Sequence, residues 1–449
     1  MTTAARSAEP IWRAALDAVD PYRAARRAVS LDGDLLRVGG TAIRLDTGRR
    51  IRIVGGGKAA APMTEALVDL LGGRIDGGLV ITKRGHGEDL GAVGPVAIRA
   101  GGHPLPDAAG ADAAQEIAAL LADRPAEDDL IVVLLSGGGS SLLALPEDGI
   151  SLDDLRAASD AFILGGADIG QLNALRKHLT RLSGGRMARL AAPARVLALI
   201  LSDVVGDPLD AIASGPTAPD PTTFADAVAA IAQLGLEGAM PRPVLDHLRR
   251  GAAGEIDETP KPGDPVFDRV VNRVVAGNRT AVEAAAEKAR SLGFHTEIAS
   301  FDLGGEARDR GHELAALGIE IARGTGVVRP PACLVFGGET TVLVRGSGSG
   351  GRNQELALAA ALELEAQGDK RAQVVAISTD GQDGPTDAAG AAVDGSTCER
   401  ARSAGVDPRA ALDDNDSNKA LDAAGALIRT GPTRTNVADL ALVLVDIIR

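Results

Sequence analysis

At 449 residues the chain is too long for one core of usual size, so two domains are expected, with an interdomain cleft as the default site. Its 45% hydrophobic and 24% charged residues are those of an ordinary globular protein, and 2% aromatics means cores built from Ala, Leu, Val and Ile. A formal charge of −14 with one Trp and one Tyr excludes a nucleic-acid surface, which needs basic patches and stacking rings; an anionic ligand must be held by a local positive pocket against that field.

Met1 to Trp12 carries Arg6 and Glu9 but no apolar run ending in a small-residue cleavage site. No apolar stretch approaches the ~18 residues of a membrane span, so the cytoplasm is the expected location. A helix is expected from about Pro10 to Val29, on a stripe of Ile11, Ala15, Ala18 and Tyr22 that Pro21 interrupts. The rhythm then becomes strand, glycine turn, helix. Strand Arg50–Val54 leads into helix Lys58–Leu71; strand Gly78–Thr82 follows; Leu130–Leu135 runs into Ser136-Gly-Gly-Gly-Ser-Ser141; Arg195–Leu201 runs into Ser202-Asp203. Between Gly251 and Pro265 polar, Gly and Pro residues crowd together without apolar periodicity, which reads as an interdomain linker and a candidate hinge.

Beyond it come strand Arg273–Ala276, helix Asn278–Leu292, strand Thr296–Ser300, helix Gly305–Arg323, strands Ala332–Phe336 and Thr340–Arg345, helix Arg352–Ala366 and strand Gln373–Ser378. Such alternation gives an α/β fold with parallel or mixed sheets, helices on both faces and ligands at the carboxyl ends of strands. Cys333 and Cys398 have no metal or disulfide spacing and are expected as small buried hydrophobes.

Two junctions point to anion chemistry. Gly346-Ser-Gly-Ser-Gly-Gly-Arg-Asn-Gln-Glu355 opens a helix, where glycine amides, the helix start and Arg352 together suit a phosphate. Val54-Gly-Gly-Gly-Lys58 repeats the arrangement with a lysine. The lysine junction is not a Walker P-loop, because Arg52 stands at the leading glycine and Ala59 at the Ser/Thr position. Gly55-x-Gly57-x-x-Ala60 and Gly346-x-Gly348-x-x-Gly351 fit the dinucleotide fingerprint, and Lys83-Arg84 after the next strand suits NADPH better than NADH. The amides and hydroxyls of the Ser136–Ser141 loop suit a phosphate or carboxylate, whereas a hydrolase elbow would need another order of glycines. Ser214-Gly-Pro-Thr217 is a rigid hydroxyl-rich turn, and Asn173 and Lys177 share a helix face near Arg176 and His178. The metal candidates are Asp203, Asp207, Glu339, Asp380 and Asp383; magnesium takes only one or two protein carboxylates beside substrate phosphates, so not all are ligands.

Taken in order, Val54-Gly-Gly-Gly-Lys58, Leu135-Ser-Gly-Gly-Gly-Ser-Ser141, Leu172-Asn-Ala-Leu-Arg-Lys-His178 with Gly184-Gly-Arg186, Leu201-Ser-Asp-Val-Val-Gly-Asp-Pro208 through Ala213-Ser-Gly-Pro216, Gly337-Gly-Glu-Thr340, Gly350-Gly-Arg-Asn-Gln-Glu355 and Thr379-Asp-Gly-Gln-Asp-Gly-Pro-Thr-Asp387 resemble the glycerate 2-kinase family, whose carboxy-terminal domain is called MOFRL. The resemblance implies a larger N-terminal Rossmann-like three-layer domain over residues 1–250, a linker at 251–265, and a smaller mixed-sheet domain over 266–449 containing the MOFRL region at about 330–445. It implies ATP-dependent phosphorylation of D-glycerate at the 2-hydroxyl, with ATP and Mg2+ as cofactors and Lys58 and Arg352 as the catalytic pair. The binding positions expected are Gly55, Gly56, Gly57, Ser136, Gly137, Gly138, Gly139, Ser140, Ser141, Ser214, Gly215, Gly350, Gly351 and Asn353. Arg434, in Thr430-Gly-Pro-Thr-Arg-Thr-Asn436, departs from the family's small residue. The expected partners are ATP and D-glycerate, with no nucleic acid and no membrane, and a homodimer is the assembly to test. The rival is an NADPH-dependent hydroxypyruvate reductase, resting on the two fingerprints and Arg84.

Overall fold

The structure, a computed structural model, describes residues 3–46, 48–123 and 125–446. Met1 and Thr2, the start of the segment read above for a leader, lie outside the described residues. Two compact units form: an N-terminal unit of Pro21–Ser202 and Asp207–Val275, and a C-terminal unit of Met1–Asp20, Asp203–Gly206 and Ala276–Arg449.

In the N-terminal unit a three-stranded antiparallel meander (Val29–Asp32, Leu35–Val38, Thr41–Arg44) accompanies a seven-stranded sheet. The order across that sheet is Val270–Ala276, Arg195–Leu201, Leu130–Leu135, Ile51–Gly56, Gly77–Lys83, Val96–Gly101, Ala92–Val93. Ile51–Gly56 enters at the centre, Gly77–Lys83 and Val96–Gly101 move out to one side, and Leu130–Leu135 then pairs with it on the other, all parallel, while the short Ala92–Val93 edge strand runs antiparallel to Val96–Gly101. That is the doubly wound order, and its switch point lies between the Ile51–Gly56 and Leu130–Leu135 strands. Every residue of Leu130–Leu135 is buried, as expected of a parallel strand covered on both faces, which is why it reads as a continuous apolar run. Beside the sheet, helices Leu152–Leu164, Ile169–Leu179, Phe224–Gln233 and Arg242–Ala252 share a core around Phe162 and Phe224. The first three begin with reciprocal caps, Ser151 with Asp154, Asp168 with Gln171 and Thr223 with Asp226.

The C-terminal unit holds a six-stranded sheet in the order His295–Leu303, Ala332–Gly338, Asp439–Val445, Ala372–Ser378, Gly390–Asp394, Leu427–Ile428, parallel only at its first pair. Alternate residues of its central strands, among them Leu334, Phe336, Val374, Ala376, Ala441 and Val443, join one core with helices Ala307–Arg323 and Arg352–Ala366. The intervening Val335, Val375, Leu440 and Leu442 are equally buried and serve the other face, where Thr3–Ala18 packs on Asn278–Ser291 and both touch the Asp439–Val445 strand. Both cysteines are buried, and burial pushes both thiols up to about 12.

Three expectations change. The stripe from Pro10 to Val29 is split as Pro21 foretold, into Thr3–Ala18 and Pro21–Ala28, but the two helices belong to different units. Thr340–Arg345 is no strand: only Thr341 makes an isolated bridge, to Glu306, and Leu343 and Val344 are exposed. The place beside Ala332–Gly338 is taken instead by Asp439–Val445, pairing antiparallel in an unbroken register. The stretch 251–265 is not a linker either. Gly251 sits in a helix against Phe224, Thr259 donates to Asp220 at 2.9 Å and the Phe224 amide donates to Glu258 at 2.8 Å, so its polar residues close a network inside the N-terminal unit.

Candidate active site

Lys58 stands at the switch point, in the turn between strand Ile51–Gly56 and helix Ala60–Leu71, with its side chain almost wholly buried. The glycines before it let strands approach. An alanine Cβ at Gly55 would fall 2.0 Å from the Leu134 carbonyl oxygen, and one at Gly57, where φ is 145°, would fall 2.1 Å from Ser136 Oγ. The amides of this turn are spent inside the fold: Gly57 on Ile81 at 3.0 Å, Lys58 on Gly137 at 2.9 Å, Ala59 on Ser136 Oγ at 3.0 Å. Gly55, Gly56 and Gly57 therefore do not form the phosphate cradle expected of them. They bring the lysine against the Ser136–Ser141 loop.

That loop keeps open donors. Ser136 is fully buried and its hydroxyl accepts from Ala59, but among the described residues the amides of Gly137 and Gly138 donate no hydrogen bond. Gly139 packs against Ala213 and Ser141 Oγ donates to the Gly138 carbonyl at 3.1 Å. Ala213 and Ser214 hold positive φ of 52° and 60°, a conformation that costs energy in any residue but glycine. The turn is held there because Gly184 and Gly185 amides donate to Ser214 and Gly215 carbonyls at 2.9 and 2.7 Å, and Ser214 Oγ donates to Ser140 Oγ at 2.9 Å. Ser214 and Gly215 thus act as supports for Ser140, and Thr217 is tied to Asn272 at 2.6 Å. Beneath them Lys177, 2% exposed, pairs with Asp210 at 3.2 Å and Asp220 at 3.1 Å. Burial alone would raise the Asp220 carboxyl, but Lys177 and the Thr222 donors hold it below its ordinary value.

In the C-terminal unit the long glycine loop mostly receives the chain's own carboxylates. Ser347 and Ser349 amides donate to Asp414 and Asp416 at 2.9 and 3.0 Å, and those of Arg345 and Gly346 to Asn415 at 2.7 and 3.0 Å. Asp383 occupies the start of helix Arg352–Ala366, accepting from the amides of Asn353 and Gln354 at 3.1 and 2.9 Å and from both their side chains. Asn353 is therefore a cap partner through both its amide and its side chain. Gly350, Gly351 and Arg352 remain: among the described residues their amides donate no hydrogen bond, and all three line a pocket of about 820 Å³ with Val342, Val344 and Pro385. The Arg352 guanidinium pairs with Asp439 at two points, one at 3.0 Å, and with Glu339 at 2.8 Å. Burial works against its charge, yet Asp439, Glu339 and Asp383 outweigh that and hold it above its ordinary value.

The metal candidates do not assemble. Among the described residues no group of three or more His, Cys, Asp or Glu side chains comes together. Asp203 and Asp207 fall in different units, Asp383 is buried and spent on the helix, and Asp380 closes a turn by accepting from Ser378 Oγ and the Gln382 amide at 2.9 and 3.0 Å. Glu339 lines the 820 Å³ pocket with its side chain about half exposed. The reductase features are likewise redirected. Arg84 is paired with Asp107 at 2.6 Å, and the fingerprint at Gly346 follows no strand. Arg434 adopts positive φ in a connecting loop. Asp439, hidden in an unrecognised strand, escaped notice in the sequence, and Arg176 stood out there only as a neighbour of Asn173 and Lys177.

The family model described as a domain of unknown function, DUF4147, matches residues 7–249, and that of the MOFRL family matches residues 332–439. The chain is 41% identical over 432 residues to a glycerate 2-kinase of Pyrococcus horikoshii, covering 96% of this chain and 95% of that one. It is 42% identical over 400 residues to a protein of Agrobacterium vitis named putative hydroxypyruvate reductase, covering 88% and 87%. A solved structure of a glycerate kinase from Thermotoga maritima matches with a TM-score of 0.85 at 38% identity, over 98% of this chain and 99% of that one.

Proposed function

The chain belongs to the glycerate 2-kinase family, with a DUF4147 region followed by a MOFRL region, and on that footing we propose that it transfers the γ-phosphoryl group of ATP to the 2-hydroxyl of D-glycerate, releasing 2-phospho-D-glycerate and ADP. The observation that carries this reading beyond kinship is Lys58: a buried ammonium at a doubly wound switch point, tied to a turn whose Gly137 and Gly138 amides have no acceptor among the described residues. Phosphoryl transfer needs little covalent help; it needs charge and donors aimed at the equatorial oxygens. Lys58 and those amides supply them.

ATP takes the 820 Å³ pocket, which has the size of a nucleotide site, with its phosphates at the Gly350 and Gly351 amides and at Arg352. The carboxylates present do not make a metal cage, but they fit a magnesium ion that arrives with the nucleotide, with Glu339 as its protein contact. Bound there, the ion would supply neutralisation of the phosphate charge. No helix among the described residues is long and apolar enough to cross a membrane. We place the enzyme in the cytoplasm and take a homodimer as its assembly, which size-exclusion chromatography checks.

The test is direct. Purified protein given D-glycerate and ATP should yield ADP and a new phosphate-monoester resonance of 2-phosphoglycerate by phosphorus NMR. The same protein given hydroxypyruvate and NADPH should leave the nicotinamide absorbance unchanged; the reverse pattern would replace this reading with the reductase.

A further inference from the structure

Most arginines around the Ser136–Ser141 loop have visible employment. Arg186 donates to Glu147 at 2.6 Å and to the Thr180 carbonyl at 2.8 Å; Arg156 donates to the Pro106 carbonyl at 2.7 Å and pairs with Asp153 at 2.8 Å. Arg176 differs. It lies in the last turn of helix Ile169–Leu179, half-buried, and among the described residues its guanidinium has no hydrogen-bond or ion-pair partner. Burial pulls its pKa below the arginine norm with no carboxylate to restore it. A partly desolvated cation without a counter-charge is costly to fold, so an anion that arrives later has much to gain there.

Arg176 faces a pocket of about 180 Å³. Its walls carry the hydroxyls of Ser140, Ser141, Thr180 and Ser183, backed by the apolar Leu155 and Ile163. The rim carboxylate of Asp160 is exposed and makes no ion pair with Arg176. The volume falls short of the roughly 300–1,000 Å³ usual for nucleotide-sized ligands, and suits a compact hydroxy acid of a few carbons. Ser140 belongs to the same loop whose Gly137 carbonyl accepts from the Lys58 amide, so an acid seated here lies next to that loop's open donors.

We propose that Arg176 is the carboxylate anchor of the acceptor site: its planar fork takes the carboxylate of a small 2-hydroxy acid at two points, while the serine hydroxyls of the pocket take the hydroxyls of the acid. This rests on the kinase reading above for the identity of the acid, D-glycerate. It also makes the pocket select for a negative charge, because an uncharged analogue would leave the guanidinium unpaired.

The experiment compares wild type, R176Q and R176K with D-glycerate and its neutral amide, glyceramide. In R176Q the KM for D-glycerate should rise by about 100-fold, the expected loss of two charge-assisted hydrogen bonds, with the KM for ATP within about twofold of wild type. The preference for acid over amide should collapse in R176Q and be partly kept in R176K, which retains charge without the fork. A merely structural role would move both KM values together and leave that preference intact, which overturns the proposal. A second readout needs no turnover. D-glycerate should raise the unfolding temperature of wild type and not that of R176Q. If wild type fails to phosphorylate D-glycerate yet shows this difference, the kinase reading falls and the anchor stands; if D-glycerate shifts both proteins equally, or neither, the anchor falls.

Discussion

The two cations at the centre of the proposal are held in different ways, and substitution should separate them. Lys58 has its backbone amide locked to Gly137, while Arg352 is clasped by Asp439 and Glu339. Lys58→Ala should therefore lower kcat by about 10²–10³-fold, with both KM values within about threefold, because a charge used in the transition state is lost. Steady-state kinetics decide it, and near wild-type turnover would refute the role. Arg352→Ala should cost turnover and also about 3 kcal/mol of stability in urea unfolding, since it strands the buried Asp439 carboxylate. Asp220 offers a pH test. Its folded pKa is depressed, so its contribution is present above the ordinary carboxylate value and is lost as pH falls through the depressed one. Asp220→Asn should destabilise the protein by about 3 kcal/mol at neutral pH, with the gap from wild type closing in acid, as urea midpoints across pH would record.

At the scale of elements, helix Arg352–Ala366 was legible to the residue, and so were strands Leu130–Leu135 and Arg195–Leu201, because continuous apolar runs bounded by Gly, Ser and Asp leave little choice of boundary. What fills the helix start was not legible. A glycine turn before a helix has one appearance in sequence whether its anion is a ligand or the chain's own Asp383, thirty residues on by the Asn353 pairing. Only the folded backbone sorts the amides into those spent and those left at Gly350, Gly351 and Arg352. Sheet membership was hidden for a related reason: Thr340–Arg345 has the β-branched character of a strand, but its slot goes to Asp439–Val445 from the far end of the chain, a choice made by tertiary pairing. Asp383→Ala should leave the buried Asn353 and Gln354 donors unpaired, cost about 2 kcal/mol in urea unfolding, and raise the KM for ATP. An unchanged unfolding midpoint would show that the cap is dispensable.

For the whole molecule, the formal charge of −14 and the Glu339, Glu355 and Asp383 carboxylates around the larger pocket oppose a polyphosphate, with Glu355 already engaged by Arg308 at 2.8 Å. Chelating divalent metal should therefore abolish ADP release, and added magnesium should restore it; activity persisting in chelator would contradict the metal's part. Trp12, the chain's one tryptophan, lies 5% exposed in a helix that belongs to the C-terminal unit. Its fluorescence should follow unfolding of that unit alone. Trp12→Ala should cost about 3–5 kcal/mol there. The same placement bears on biosynthesis. Thr3–Ala18 leaves the ribosome long before Asn278–Ser291 and Asp439–Val445, on which it rests, are translated. At about 5–20 residues per second, that wait is on the order of tens of seconds. Until then the nascent chain presents Ile11, Trp12 and Ala15 bare, a ready target for chaperones, and the C-terminal unit cannot close its fold before Asp439–Val445 has emerged.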